Sequence, residues 1–280
     1  MKTEQRRSIL CPKCRKLISG DVKRCPYCNT TNPGSWWKNL LWHREPGGEN
    51  VIRIIIYVNV GMFILSLLLN PKRAGLSFNP LHFLSPDNNS LFLLGATGSI
   101  PIYRLHRWWT LVSANYLHGG ILHIAFNMIA FYQLAPLVIQ KYGVYRMFAL
   151  YSLSGIVGYW ISSLAGVFFT IGASAAICGL MGALLYFGKS RGGHYGRAVY
   201  SQIGGWAVAL LLFGFIVPGI NNWGHVGGMA AGGLLGFLLG YNEIKRETFF
   251  HMILAGACAV FTAAILFWAV ASTFLGNIAI

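Results

Sequence analysis

Side chains that could do chemistry form three short clusters in this otherwise apolar chain. The clusters are "HGGILHIAFNM", "IGASAAICGLMG" and "NNWGHVGGMAAGGLLG", and their polar members are His118, His123, Asn127, Ser174 and His225. Each residue alone also has a structural explanation, because Ser commonly bonds its own helix backbone and His bridges helices. Together they supply a nucleophile, a base and a pair of hydrogen-bond donors. Those are the groups that acyl transfer requires.

Carboxylates are missing from the part of the chain that holds these clusters. No Asp or Glu occurs between Asp87 and Glu243. An aspartyl protease, an HExxH zinc protease and a carboxylate-driven proton transporter all need acidic residues there. The sequence therefore excludes these three classes for this region, and it leaves Ser, His, Asn, Cys and the backbone for any chemistry.

The composition places the clusters inside a membrane. Of the 280 residues, 55% are hydrophobic and 10% are charged, which is far from the composition of a soluble domain. Seven apolar stretches have roughly the 17 to 25 residues that a membrane-spanning helix needs. We predict an all-α, polytopic helix bundle, because an open sheet edge could not be satisfied in lipid. The predicted spans are 51–70, 116–137, 146–168, 171–188, 200–219, 222–241 and 249–274.

The positive charge of the chain indicates its orientation in the membrane. The net charge is +15, and half of the Lys and Arg residues precede residue 54. By the positive-inside rule this end is cytoplasmic, and seven crossings then place the C-terminus outside. Since orientation explains the charge, we do not expect nucleic acid as a partner. We expect an integral protein of a bacterial plasma membrane.

The predicted topology brings the three clusters to one depth, since helices two, four and six all run inward and carry their polar residues in the first turns. His123 and Asn127 are four residues apart and project from one helix face. Small residues let helix backbones approach closely, and two such stripes would bring Ser174 and His225 together if they met. The stripes are Gly228, Gly232, Gly236 and Gly240 in the sixth helix, and Ala175, Gly179 and Ala183 in the fourth.

A small cytoplasmic head precedes the membrane domain. Residues 11–28 read "CPKCRKLISGDVKRCPYC", two CPxC knuckles typical of a structural zinc site. A redox role is the less favoured alternative in a reducing compartment. We predict a zinc-ribbon-like module over 1–30, a linker over 31–50 and a membrane domain over 51–274. The predicted zinc ligands are Cys11, Cys14, Cys25 and Cys28, and the linker would rest on the membrane interface through Trp36, Trp37 and Trp42.

At these motifs the chain resembles the rhomboid intramembrane serine proteases. The resemblance covers about residues 51–274 and rests on "HxxxN" from His123 to Asn127, on "GASA" around Ser174 and on "GHVGG" around His225. It implies a six-helix core, here with a seventh C-terminal helix. It also implies hydrolysis of membrane-spanning substrates at a site that opens to the outside.

The resemblance implies a role for each residue. Ser174 would be the nucleophile and His225 the general base of a dyad without Asp, so we expect no cofactor for catalysis. The oxyanion hole would consist of His123, Asn127 and the backbone N–H of Ser174. Other residues near the site would be structural, and Gly172 would let the backbone approach the base closely. These structural residues are His118, Gly172, Gly228 and Gly232.

Two positions depart from the family pattern. Thr110 follows Trp109 where the family usually has Arg, so the Arg contact is either absent or made by Arg107. Ala175 follows the nucleophile where many members have Gly. Neither position carries a catalytic group, so we still expect activity.

The expected partners are the lipid bilayer and single-pass membrane proteins. Their segments near the cut should contain weak helix formers, because a regular helix hides its carbonyls in hydrogen bonds. The alternative is a catalytically silent rhomboid-like protein that binds or delivers membrane proteins. The presence of Ser174, His225, His123 and Asn127 favours the protease, because silent relatives typically lose one of these residues.

Overall fold

The computed structural model describes residues 8–11, 16–34, 48–70, 75–76 and 83–276. Contacts divide the chain into two units, Met1–Asn50 and Val51–Ile280. Cys14 lies outside the described residues, as do the three tryptophans predicted at the membrane interface and most of the predicted linker.

The first unit contains a short antiparallel hairpin. Strand β1 (Ser8–Leu10) pairs with β2 (Leu17–Ser19), with Ile9 opposite Ile18. Ile18 packs with Cys11 and Cys25 in a small buried cluster. Successive strand residues point to opposite faces, so Ile18 turns toward the cysteines while Leu17 is exposed.

The second unit is built mainly from helices. A two-stranded ribbon joins β3 (Gly75–Leu76) to β4 (Phe83–Ser85), and short turns follow: α2 (Asn88–Leu93), a π turn (Ile100–Arg104), α3 (Thr110–Ser113) and a 3-10 turn (Ala114–Tyr116). The described part holds seven helices of at least 18 residues. They are α1 (Gly48–Leu68), α4 (Ile121–Tyr142), α5 (Val144–Leu164), α6 (Ser174–Arg191), α7 (Gly193–Ile216), α8 (Asn222–Leu239) and α9 (Phe249–Gly276).

Five of the seven long helices, α1, α4, α5, α7 and α9, have the length and hydropathy to cross a membrane. Helices α6 and α8 are not among them, although both were predicted to span. Both are 18 residues long and rich in Gly and Ala. Helix α6 is largely buried by α5, α7 and α8, so small residues that allow close packing replace the bulky apolar residues that lipid would favour.

The start of α4 differs from the sequence-based prediction. The helix begins at Ile121 rather than at residue 116, and the extended residue Gly120 precedes it. His118 therefore lies before the helix, while His123 and Asn127 lie in its first two turns. The shift has a local cause, because the pair Gly119-Gly120 has low helix propensity.

The two stripes of small residues meet between α6 and α8. A Cβ added to Gly228 would overlap the Ala175 carbonyl oxygen, and a Cβ on Gly236 would lie 3.2 Å from the Cα of Ala183. Gly232 packs in the same way on Gly179. Backbone-to-backbone contact along this stripe draws the N-terminal turn of α6 against that of α8.

A buried arginine joins the other end of α8 to the turn between α4 and α5. The side chain of Arg146 is fully buried. Its guanidinium donates to the carbonyl oxygens of Gly240 and Lys245, the latter at 2.9 Å, and to Asn242 Oδ1 at 2.6 Å. Its backbone N–H donates to Glu247 at 2.9 Å. The arginine thus caps the last carbonyl groups of α8 and holds the segment that follows them.

Candidate active site

Ser174 and His225 face each other across the interface between α6 and α8. Ser174 is the first residue of α6, and His225 lies in the first turn of α8. The distance from His225 Nε2 to Ser174 Oγ is 3.0 Å, which is hydrogen-bond distance. His225 is buried, with 4% of its surface exposed, whereas Ser174 is partly accessible. A partly accessible serine at hydrogen-bond distance from a buried imidazole is an arrangement in which the imidazole can act as the base that activates the serine hydroxyl.

Asn221 fixes the start of α8, and the sequence analysis did not identify it. Its Oδ1 accepts from the backbone N–H of Gly224 at 2.9 Å, so Asn221 is the N-cap of the helix. Its Nδ2 donates to Ser162 Oγ at 2.7 Å and to Thr170 Oγ1 at 2.9 Å. One side chain therefore ties the His225 helix to α5 and to the loop before Ser174. The signal was present, because Asn directly before an apolar helix is a preferred N-cap.

The second ring nitrogen of His225 bonds to no carboxylate among the described residues. His225 Nδ1 is buried and makes no hydrogen bond within the described part of the chain. If Nε2 accepts the Ser174 hydroxyl hydrogen, the neutral ring carries its proton on Nδ1. Within the described residues, the hydrogen bonds of the His225 side chain thus involve Ser174 alone.

His123 is held in one tautomer by its own loop. The backbone N–H of Gly119 donates to His123 Nδ1 at 3.3 Å, which leaves Nε2 to carry the hydrogen of the neutral ring. A Cβ added to Gly172 would lie 2.7 Å from that Nε2 atom. The donor nitrogen thus faces the backbone just before Ser174.

Asn127 lies one turn further along α4. It is buried, and its Nδ2 donates to the His123 carbonyl oxygen at 2.8 Å. An amide nitrogen carries two hydrogens, so one N–H remains for another acceptor. The i, i+4 spacing read from the sequence therefore places two donor side chains on the same face of α4.

Gly172 lies against His123 rather than against the predicted base, His225. We expected its backbone to approach the base, but its Cα lies close to His123. A Cβ at this position would lie 2.9 Å from His123 Cε1 and also close to Nε2. Its φ of +123° also lies in a region that side chains rarely adopt. The Gly172 N–H donates to the Ala114 carbonyl at 2.8 Å, and its own carbonyl accepts from the Tyr159 hydroxyl.

His118 packs beside His123 rather than against Ser174. Its ring is fully buried and meets the His123 ring edge-to-face, with 5.1 Å between centroids. Neither of its ring nitrogens bonds to another described residue. This placement gives His118 contact with a candidate donor residue but no direct contact with the Ser174–His225 pair.

Arg107 packs against Trp109 in the segment between the π turn and α3. Its guanidinium lies 4.7 Å from the Trp109 ring and 4.8 Å from the Phe92 ring, and it donates to the Leu93 carbonyl at 3.2 Å. The hydroxyl of Thr110, which stands where the family usually has Arg, donates to the Arg107 carbonyl at 2.7 Å. Arg107 therefore places a guanidinium against the Trp109 ring, next to the position where Thr110 replaces the usual Arg.

Three of the predicted zinc ligands lie together in the first unit. The sulfur atoms of Cys11, Cys25 and Cys28 are all within 4.8 Å of one another, and those of Cys11 and Cys28 are 3.5 Å apart. Zn–S bonds of about 2.3 Å in a tetrahedron require sulfurs about 3.8 Å apart. The described cysteines fit a metal ion and form a three-residue cluster, while the fourth predicted ligand, Cys14, lies outside the described residues.

Comparison with known proteins identifies related sequences. A model of the Rhomboid domain matches residues 105–242. RHOMBOID-like protein 6, mitochondrial, of Arabidopsis thaliana is 30% identical over 234 residues, which cover 69% of this chain and 72% of the relative. Rhomboid protease GluP of Bacillus subtilis (strain 168) is 38% identical over 125 residues, covering 45% of this chain and 25% of that protein.

Other relatives are longer than the matched region. RHOMBOID-like protein 4 of Arabidopsis thaliana is 29% identical over 68% of this chain, and the chain spans 52% of its length. The domain match contains both Ser174 and His225, and the similarity to RHOMBOID-like protein 6 extends over more than two thirds of both proteins. The chain therefore belongs to the rhomboid family.

Proposed function

We propose that this chain is an intramembrane serine protease that hydrolyses peptide bonds in or near membrane-spanning segments. One observation carries the proposal: His225 Nε2 lies 3.0 Å from Ser174 Oγ across a close helix interface. Membership of a family that includes proteins named as proteases supports it. The five apolar helices support action within a bilayer.

In the proposed reaction, Ser174 Oγ attacks the scissile carbonyl carbon while its proton passes to His225 Nε2. The imidazolium then gives that proton to the nitrogen of the departing amine as the C–N bond breaks. Water, deprotonated by the same imidazole, releases the acyl group and restores the Ser174 hydroxyl. No cofactor takes part in these steps.

The negative charge that develops on the carbonyl oxygen needs hydrogen-bond donors already in place. We assign this role to the Ser174 backbone N–H, His123 and Asn127. The first N–H groups of a helix have no intrahelical acceptor, which makes the Ser174 N–H available. The Gly119 contact supports the donor tautomer of His123, and the second amide hydrogen of Asn127 is the remaining contribution.

The proposed substrates are single-pass membrane proteins whose helices unwind easily near the outer surface. Weak helix formers such as Gly and Pro near the cut would expose the scissile carbonyl. We further propose that the N-terminal cysteines bind one structural zinc on the cytoplasmic side. The cluster of Cys11, Cys25 and Cys28 supports this assignment.

Labelling with a fluorophosphonate tests the proposal directly. We expect the purified wild-type protein to be labelled and Ser174→Ala to remain unlabelled. Ser190→Ala is the matched control, because Ser190 is exposed at the opposite end of the same helix. It should be labelled like the wild type. A folded wild-type protein that takes no label would favour a catalytically silent member of the family that binds membrane proteins.

A further inference from the structure

A small, partly open cavity lies away from the Ser174–His225 pair. It sits between the 3-10 turn Ala114–Tyr116, helix α5 and helix α9, and its volume is about 10 Å³. That is the lower size limit for one water molecule. Its wall includes the polar residues Asn115, Ser152 and Thr262. A cavity with this lining differs from the dry, purely apolar voids that proteins leave empty.

Three buried oxygen atoms of the residues that line this cavity lack a partner within the described residues, namely Asn115 Oδ1, Ser152 Oγ and the Tyr151 hydroxyl. Asn115 is 4% exposed, and Ser152 is 9% exposed. The amide nitrogen of Asn115 donates to the Leu111 carbonyl at 2.8 Å, but Asn115 Oδ1 and Ser152 Oγ make no hydrogen bond to another described residue. Burying such atoms unpaired is unfavourable, because they lose their hydrogen bonds to water, so a bridging group would be favoured.

The third side of the cavity belongs to the C-terminal helix. Thr262 of α9 lines the cavity together with Tyr116. Helix α9 packs mainly on α5, and it also contacts α3. The cavity is therefore the place where a polar side chain of α9 meets the segment that leads into α4.

We propose that one ordered water molecule binds in this cavity and links α9 to the helix core. The water donates one hydrogen to Asn115 Oδ1 and the other to the Thr262 hydroxyl, and it accepts the hydrogen of Ser152 Oγ. Three polar partners are the usual number for a buried water. The site does not rest on the proposed function, because it would bind water whether or not Ser174 is reactive.

The position of Asn115 gives the water a structural consequence. A Cβ added to Gly155 would overlap Asn115 Oδ1, so the amide lies directly on the backbone of α5. The preceding residue, Ala114, accepts the Gly172 N–H at 2.8 Å. The water thus links α9 to the Ala114–Tyr116 turn, which is hydrogen-bonded to the backbone just before Ser174. Helix α9 therefore stabilises that turn.

A crystal structure in lipid that resolves ordered water gives the direct test. We expect density within hydrogen-bond distance of both Asn115 Oδ1 and Ser152 Oγ in the wild type. A dry cavity would overturn the proposal.

A stability cycle tests the bridge without any assay of proteolysis. Ser152→Ala and Thr262→Val should each lower Tm by about 2–4 °C. The double variant should lose less than the sum of the two, because both changes remove the same water. Thr273→Val is the matched control on α9, since Thr273 is buried but bonds the Ala269 carbonyl of its own helix at 2.8 Å. Its effect should add to that of Ser152→Ala. Additive losses for the Thr262 pair would exclude the bridge.

Discussion

Gly232 has no room for a side chain, because a Cβ placed on it would overlap the carbonyl oxygen of Gly179. The contact lies two helix turns from His225, on the stripe that joins α8 to α6. Separation of the two backbones at this point would move the N-terminal turns apart as well. The geometry of the candidate site therefore depends on Gly232 having no side chain.

Replacing Gly232 by Ala should destabilise the protein by about 1–3 kcal/mol through overpacking. Cleavage should fall by up to about 100-fold, because a shift of about 1 Å between reacting groups has that effect. Thermal unfolding and cleavage of a model substrate measure the two losses. Gly61→Ala is the control, since nothing lies within 4 Å of a Cβ there. Wild-type activity in Gly232→Ala would show that the site tolerates a wider helix spacing.

Replacing either Ser174 or His225 by Ala should reduce cleavage to background. The two residues act as one unit, so the double variant should be no slower than either single variant. Initial rates with a single-pass substrate measure this, and circular dichroism checks that each variant is folded. Substantial cleavage by His225→Ala would contradict its assignment as the base.

Asn127→Ala should be slow but active. Loss of one oxyanion donor typically costs roughly 100- to 1,000-fold in rate, and His123 and the Ser174 N–H would still bind the developing charge. The variant should also keep its reaction with an activated phosphonate. Gln133→Ala on the exposed face of α4 is the matched control and should match the wild type. A fully active Asn127→Ala would remove Asn127 from the site.

Cys25→Ser should abolish zinc binding by the head without stopping proteolysis in detergent. Metal analysis of the purified protein should find about one zinc per chain in the wild type, in line with one tetrahedral site. Cys258→Ser is the control and should keep the metal, because Cys258 lies in α9. Deletion of residues 1–30 should act like Cys25→Ser, and an inactive but well-folded truncated protein would contradict the separation of head and site.

The termini should lie on opposite sides of the membrane. Half of the basic residues precede residue 54, which predicts a cytoplasmic N-terminus, and an odd number of crossings, whether the seven predicted or the five candidate spans, places the C-terminus outside. Reporter fusions after Leu41 and after Ile280 measure the two sides. Two reporters on the same side would mean an even number of crossings.

Residues with periodic spacing could be predicted well from the sequence. His123 and Asn127 share a helix face as their i, i+4 spacing requires. The stripes around Gly179 and Gly232 meet because small residues every four positions leave a smooth groove. In both cases a local pattern determines which surface a helix presents.

Contacts between distant segments could not be predicted in the same way. A short motif shows that Gly172 needs space, but not that His123 fills that space. Asn221 reaches Ser162 and Thr170, and Arg107 reaches the ring of Phe92. These partners are fixed only when loops meet in three dimensions, so sequence periodicity carries no information about them.

The buried guanidinium of Arg146 constrains how α8 could move. It bonds carbonyl oxygens at and beyond the last turn of α8, while Asn221 bonds two hydroxyls at the first turn. A piston-like slide along the helix axis would break both sets of bonds at once. A tilt about Arg146 would keep the charged bonds there and break the neutral bonds at Asn221, and it would also open the close contact of Gly228 with Ala175. Any such tilt would therefore displace the His225 end of α8 most.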